Sequence, residues 1–106
     1  MKSGTYRYQI ELIAPLGARN GEIKVQLTGN EISGEFAILG NTSAFAHGCY
    51  EAGIITVSGK LKTLMYSIPY ELIGEMGEEA IRFEMQTSKG VLSVSGTICG
   101  QNQTAQ

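Results

Sequence analysis

Glu22-Ile23-Lys24-Val25-Gln26-Leu27-Thr28-Gly29-Asn30-Glu31-Ile32-Ser33-Gly34-Glu35-Phe36-Ala37-Ile38 is the stretch on which the fold turns. Ile23, Val25 and Leu27 alternate with Glu22, Lys24, Gln26 and Thr28. After Gly29-Asn30 the alternation resumes, with Ile32, Gly34, Phe36 and Ile38 on the inward parity. A period of two is that of a strand with one buried face. Gly-Asn between two such runs is hairpin chemistry, because glycine supplies the positive φ that a tight turn demands. The segment therefore predicts an antiparallel pair with one apolar side.

The same signature repeats outward in both directions. Upstream, Tyr6, Tyr8, Ile10 and Leu12 oppose Thr5, Arg7, Gln9 and Glu11, and the run ends at Ala14-Pro15-Leu16-Gly17. Downstream, Ser43 to Tyr50 admits two facings: Phe45, His47 and Cys49 inward, or Ala44, Ala46, Gly48 and Tyr50 inward. Four further runs place inward Ile55, Val57, Gly59 and Leu61; Tyr66, Ile68, Tyr70 and Leu72, with Pro69 outward; Ile81, Phe83 and Met85; and Leu92, Val94, Gly96 and Ile98. No window of a dozen residues keeps the spacing of an amphipathic helix. Eight short runs with short connections predict an all-β fold, an eight-stranded antiparallel up-and-down meander closed into a barrel, since eight is a strand number at which a meander closes without a free edge. The 106 residues suffice for one domain, expected over 1–100, with 101–106 as a frayed polar tail.

Charge and composition narrow the chemistry. Eight basic residues are scattered singly against ten acids, for a net charge of -2, whereas a phosphate-tracking surface needs clustered cations. Nucleic-acid binding is not expected. All ten acids are Glu, so Asp-rich calcium loops and an Asp-containing hydrolase triad are absent. Cys49 and Cys99 stand fifty positions apart and His47 is the only histidine, so no metal site or cofactor is expected. Free thiols suit a reducing compartment. No apolar leader follows Met1-Lys2, and no window approaches the roughly 20 apolar residues of a membrane helix. A cytoplasmic protein without membrane contact is the expectation.

An apolar-Ser-Gly-x-apolar pattern recurs at Ile32 to Phe36, Val57 to Leu61 and Val94 to Ile98, with Gly on the inward parity each time. Glycine inside a strand is costly, so its recurrence points to strand coiling, or to room for a neighbouring ring, backbone or ligand. The meander, with Gly-x-apolar-x-apolar runs such as Gly21-Glu22-Ile23-Lys24-Val25 and Gly53-Ile54-Ile55-Thr56-Val57, resembles the small calycin barrels, the lipocalin-like and streptavidin-like folds. It is also similar to uncharacterised small bacterial barrels with Ser-Gly strand centres. The likeness is architectural: the Gly-x-Trp of lipocalins is missing, and without any Trp the aromatic walls of a biotin site do not carry over. It implies a fold and no activity.

Parity sends most aromatic residues inside. Tyr6, Tyr8, Phe36, His47, Tyr66, Tyr70 and Phe83 form the candidate ligand-binding set, His47 depending on the facing of its strand. The interior of an eight-stranded barrel is either filled by side chains or holds one small ligand, and buried tyrosine hydroxyls need partners. The leading expectation is a non-enzymatic module for a small, mainly apolar ligand. A structural or oligomerisation domain is the alternative, with a homodimer formed through outward Ile13, Ile54, Ile73 and Val91. A barrel isomerase or cyclase would need His47 or a tyrosine as acid or base, since no paired inward carboxylates are visible. No residue is assigned a catalytic role.

Overall fold

Alternation along the chain becomes eight strands: β1 (Gly4–Ala14), β2 (Gly17–Thr28), β3 (Glu31–Ile38), β4 (Asn41–Glu51), β5 (Ile54–Lys62), β6 (Ser67–Met76), β7 (Ala80–Thr87) and β8 (Gly90–Gln103). The computed structural model describes residues 2–14, 17–38, 41–62, 67–88 and 90–103. Each strand pairs antiparallel with the next, and β8 returns to β1, so the sheet closes in chain order as an antiparallel barrel. Closure pairs β1 with β8, so neither terminal strand is left as a free edge.

The core is the inward parity of every strand. Tyr6, Tyr8, Ile10 and Leu12 of β1, Ile23, Val25 and Leu27 of β2, and Ile81, Phe83 and Met85 of β7 are all buried, while the residues between them are exposed or partly so. Removing such a side chain from water contributes roughly 1.5–3 kcal/mol, and a one-residue slip would forfeit this across a whole strand, so the pattern fixes register as well as facing. Outside, every Glu is exposed, and among the described residues Ile13, Ile54, Ile73 and Val91 are the large apolar residues left in water, as their parity requires.

β4 resolves its two facings by using both. Ser43 and Phe45 are buried in its first half, Gly48 is buried and Tyr50 half-buried in its second, and His47 between them is exposed with φ +60°. The β3–β4 register shifts between Ile32 and Gly34, so one extra residue is inserted into β4. A bulge of this kind flips the parity of everything beyond it. His47 therefore faces outward, correcting the facing that would have put it among the interior residues.

A second bulge lies in β8, where Arg7 pairs with Gly100 and Tyr8 with Ile98, leaving Cys99 as the additional residue. Beyond it, Gln101, Asn102 and Gln103 pair with Tyr6, Thr5 and Gly4. The polar end expected to fray from residue 101 is thus strand through Gln103. A ladder consists of backbone bonds and needs no apolar side chains, and β1 offers a free row of donors and acceptors there. Residues 104–106 lie outside the described residues.

Candidate functional site

Strand direction tells the two ends of the barrel apart. The first end holds the start of β1, the Gly29-Asn30 turn, the Ala52-Gly53 turn and the loop from Gly77 to Glu79. Each of these connections is bonded to a strand that is not its own continuation. Tyr50 N donates to Asn30 O at 2.8 Å, Met76 N to Gly53 O at 2.9 Å, and Ile98 N to Glu79 O at 2.8 Å. Gly29 N donates to Ser3 Oγ at 3.1 Å.

Two tyrosines complete this end. Tyr8 is fully buried and its hydroxyl donates to Gly77 O at 2.8 Å, tying β1 to the β6–β7 loop. The Tyr6 hydroxyl donates to Lys2 O. Burial, followed by the neighbouring Tyr6, Tyr50 and Glu78, pushes the Tyr8 phenol well above the ordinary tyrosine range, so it stays protonated and serves as a fixed donor. With its turns stitched to the wall and its tyrosines bonded to backbone, this end is sealed.

Toward the other end the interior is aromatic. Phe36 is the hub: its ring centroid lies 5.0 Å from Phe45, 5.9 Å from Tyr70 in an edge-to-face contact, and 6.1 Å from Phe83. These are the separations at which aromatic quadrupoles attract. Ser43, opposite Phe36 on β4, is a buried polar residue in the same region and has a partner of its own. Ile68 of β6 and Leu92 of β8 are only half-buried, which marks the apolar rim.

Tyr70 stands at this end opposite Gly59 of β5. A methyl group at Gly59 would lie 2.7 Å from the Tyr70 hydroxyl oxygen and 3.0 Å from its Cζ, so the ring rests directly on the glycine. The hydroxyl is buried and, among the described residues, has no hydrogen-bond partner. Burial pushes the phenol up to about 12, which keeps it protonated at neutral pH.

The shortest ladder among the described residues also lies on this wall. Among the described residues, β4 and β5 share three ladder pairs, Cys49↔Thr56, Tyr50↔Ile55 and Glu51↔Ile54, all next to their turn. β1 and β2 by contrast stay paired from Gly4↔Leu27 to Ala14↔Gly17. Past the His47 bulge, the stretches carrying Phe45 and Gly59 share no ladder pair among the described residues.

Of the residues proposed from sequence, Phe36, Tyr70 and Phe83 come together, while Tyr6 and Tyr8 point to the sealed end and His47 lies outside. Tyr66 lies outside the described residues. Phe45 and Ser43 belong to the cluster region; both stand on one parity of the fourth run, so the signal was present and was obscured by the bulge. The Ser-Gly glycines each meet a close neighbour: Phe45 and the Lys24 carbonyl at Gly34, the Tyr70 ring at Gly59, and the Gln9 carbonyl at Gly96.

A phenol held protonated donates a hydrogen bond but does not serve as a base near neutrality. Among the described residues, no three His, Cys or Glu side chains gather to hold a metal ion. Cys49 and Cys99 are free and exposed. Comparison with known protein families, curated proteins and solved structures finds no match, so no residue role passes to this chain by kinship. The closed eight-stranded antiparallel barrel is consistent with the calycin architecture.

Proposed function

We propose that this chain is a non-enzymatic binding module whose barrel takes a small, mainly apolar ligand at the end opposite Tyr8. The observation that supports this reading is the aromatic cluster of Phe36, Phe45 and Tyr70, gathered beside a stretch of β4 and β5 that shares no ladder pair among the described residues. Ligand sites favour concave apolar surfaces with a few polar groups, and barrel mouths are among their recurrent positions. A ligand enters past the half-buried rim of Ile68 and Leu92, or through the β4–β5 seam, and packs on the Phe36 cluster. A calycin-like kinship fits this use of the fold, and the free, exposed thiols fit a cytoplasmic location.

The test is an amide-resolved NMR titration with small cyclic hydrocarbons and ketones. Shifts concentrated at Ser43 to Phe45, Gly59 and Tyr70 are the expected result. Shifts confined to outward residues, or none at millimolar ligand, would overturn the reading.

Oligomerisation is the second reading, carried by the four exposed aliphatics. Register makes Ile54 and Ile73 diagonal neighbours, since Ile54 pairs with Glu75 and Ile73 with Thr56. Ile13 pairs with Ser93, two residues from Val91, which makes a second doublet. Between them run Glu84 and Ser93, so the aliphatics form two small patches and not one broad face. Native mass spectrometry decides the point: a dimer that dissociates on Ile73→Glu supports this reading, and a monomer at micromolar concentration rejects it.

A further inference from the structure

Packing accounts for the ring of Tyr70 and leaves its oxygen without a role. An aromatic ring laid over a strand glycine restores contacts the glycine cannot make, and a phenylalanine would cover Gly59 equally well. The hydroxyl adds a buried polar group with no partner among the described residues, which is destabilising in an apolar interior. The sealed end shows the ordinary arrangement, in which Tyr6 and Tyr8 each donate to a carbonyl. Ser43, the buried polar residue opposite Phe36 on β4, is already engaged.

We propose that the Tyr70 hydroxyl is the specificity-determining contact for the ligand, donating a hydrogen bond to one neutral acceptor oxygen, a ketone-type carbonyl, on an otherwise apolar ring-sized molecule. This rests on the binding-module reading and adds the chemistry of the ligand to it. The acceptor follows from the phenol: a ligand that donated to the tyrosine oxygen would leave the phenolic proton unmet, whereas a carbonyl satisfies it. Neutrality follows from the surroundings. Arg7, Lys24, Lys60 and Arg82 are all exposed, so among the described side chains a carboxylate carried inside would meet no cation and would bear its full desolvation cost.

The route to the oxygen follows from Gly59. In the free barrel the hydroxyl is closed off against that glycine, so a ligand reaches it by tipping the ring away. The tip of the ring meets no Cβ at position 59, and the stretch of β4 and β5 without a ladder among the described residues adjoins Gly59.

A matched pair of probes tests this. Indane and 1-indanone share a ring skeleton and differ by one carbonyl, and both are titrated by NMR into the full-length wild type, Tyr70→Phe and Tyr8→Phe. The quantity read is the ratio of their affinities, which cancels ordinary hydrophobic differences. The ketone-to-hydrocarbon preference is expected to fall about tenfold in Tyr70→Phe, the worth of one hydrogen bond, and to stay at the wild-type value in Tyr8→Phe. Both probes binding with an unchanged ratio in Tyr70→Phe would overturn the inference and leave the module standing. Neither probe binding the wild type would overturn the module and the inference with it. Amide spectra of each variant confirm that it is folded.

Discussion

At the end of the barrel where β1 begins, Tyr8 reaches the Gly77 carbonyl; toward the other end, Tyr70 lies on Gly59 with its hydroxyl unmet among the described residues. Both tyrosines are buried and face inward. What separates them is whether a backbone acceptor from a distant segment arrives within reach. One hydroxyl has become part of the scaffold, and the other is a cost the scaffold carries. A buried group that stability alone would remove is a natural place to look for function.

Two glycines give the sharpest test of this contrast. Gly74 pairs with Phe83 and Gly59 with Tyr70, so each stands opposite an inward aromatic residue. A methyl at Gly74 would lie 2.2 Å from the Arg82 carbonyl oxygen and 2.4 Å from Phe83 Cα, which cannot move without the strand, whereas at Gly59 it meets only the tip of a ring. Gly74→Ala should cost about 3 kcal/mol or more in urea denaturation and Gly59→Ala less than about 1 kcal/mol. Equal losses would mean that the Tyr70 ring is held as rigidly as backbone, and the contrast between the ends would fail.

The same chemical change should have opposite signs at the two tyrosines. Tyr8→Phe removes a satisfied bond and strands the Gly77 carbonyl, lowering stability by about 1 kcal/mol. Tyr70→Phe removes an unmet hydroxyl and should raise stability by about 1 kcal/mol in the ligand-free protein. A loss on Tyr70→Phe would show that the hydroxyl has a partner in solution.

Alkaline pH extends the comparison. Burial raises both phenols above the ordinary value of 10.0, Tyr70 to about 12 and Tyr8 further. Above pH 10 the unfolded chain therefore releases protons that the folded chain retains. The stability contributed by the raised values is fully present below pH 10 and is lost as pH rises through the folded range, from 10 to about 12 for Tyr70 and over a wider span for Tyr8. Urea midpoints measured from pH 8 to 11.5 should decline, and each Tyr→Phe variant should flatten that decline, Tyr8→Phe more strongly. A profile unchanged by Tyr70→Phe would contradict the burial of its hydroxyl.

The smallest effect is expected at His47. Its φ of +60° suits glycine better than a residue with a Cβ, so His47→Gly should gain up to about 1 kcal/mol. Being exposed, it should leave the indanone-to-indane ratio unchanged. An altered ratio would return His47 to the binding site.

Most of the fold is legible in the chain. Period-two alternation and turn residues mark eight runs, and among the described side chains the inward assignments outside β4 match buried or half-buried residues, because facing is a local property of a pleated strand. The bulge at His47 was not legible. A single inserted residue leaves no mark in composition, and the ambiguity between Phe45 and Gly48 was its only trace. Gln101 to Gln103 read as tail because their side chains are polar, while their pairing to β1 depends on backbone alone.

By itself, then, the sequence determined strand number, facing and the aromatic lining, since these follow from the order of apolar and polar residues along a few positions. Tertiary structure decided which aromatics meet and which hydroxyls are satisfied. Tyr8 finds its acceptor 69 positions away, and Tyr70 meets Gly59 only through the register of β5 against β6. A hydroxyl's partner is set by closure of the whole barrel, and no local pattern carries that information.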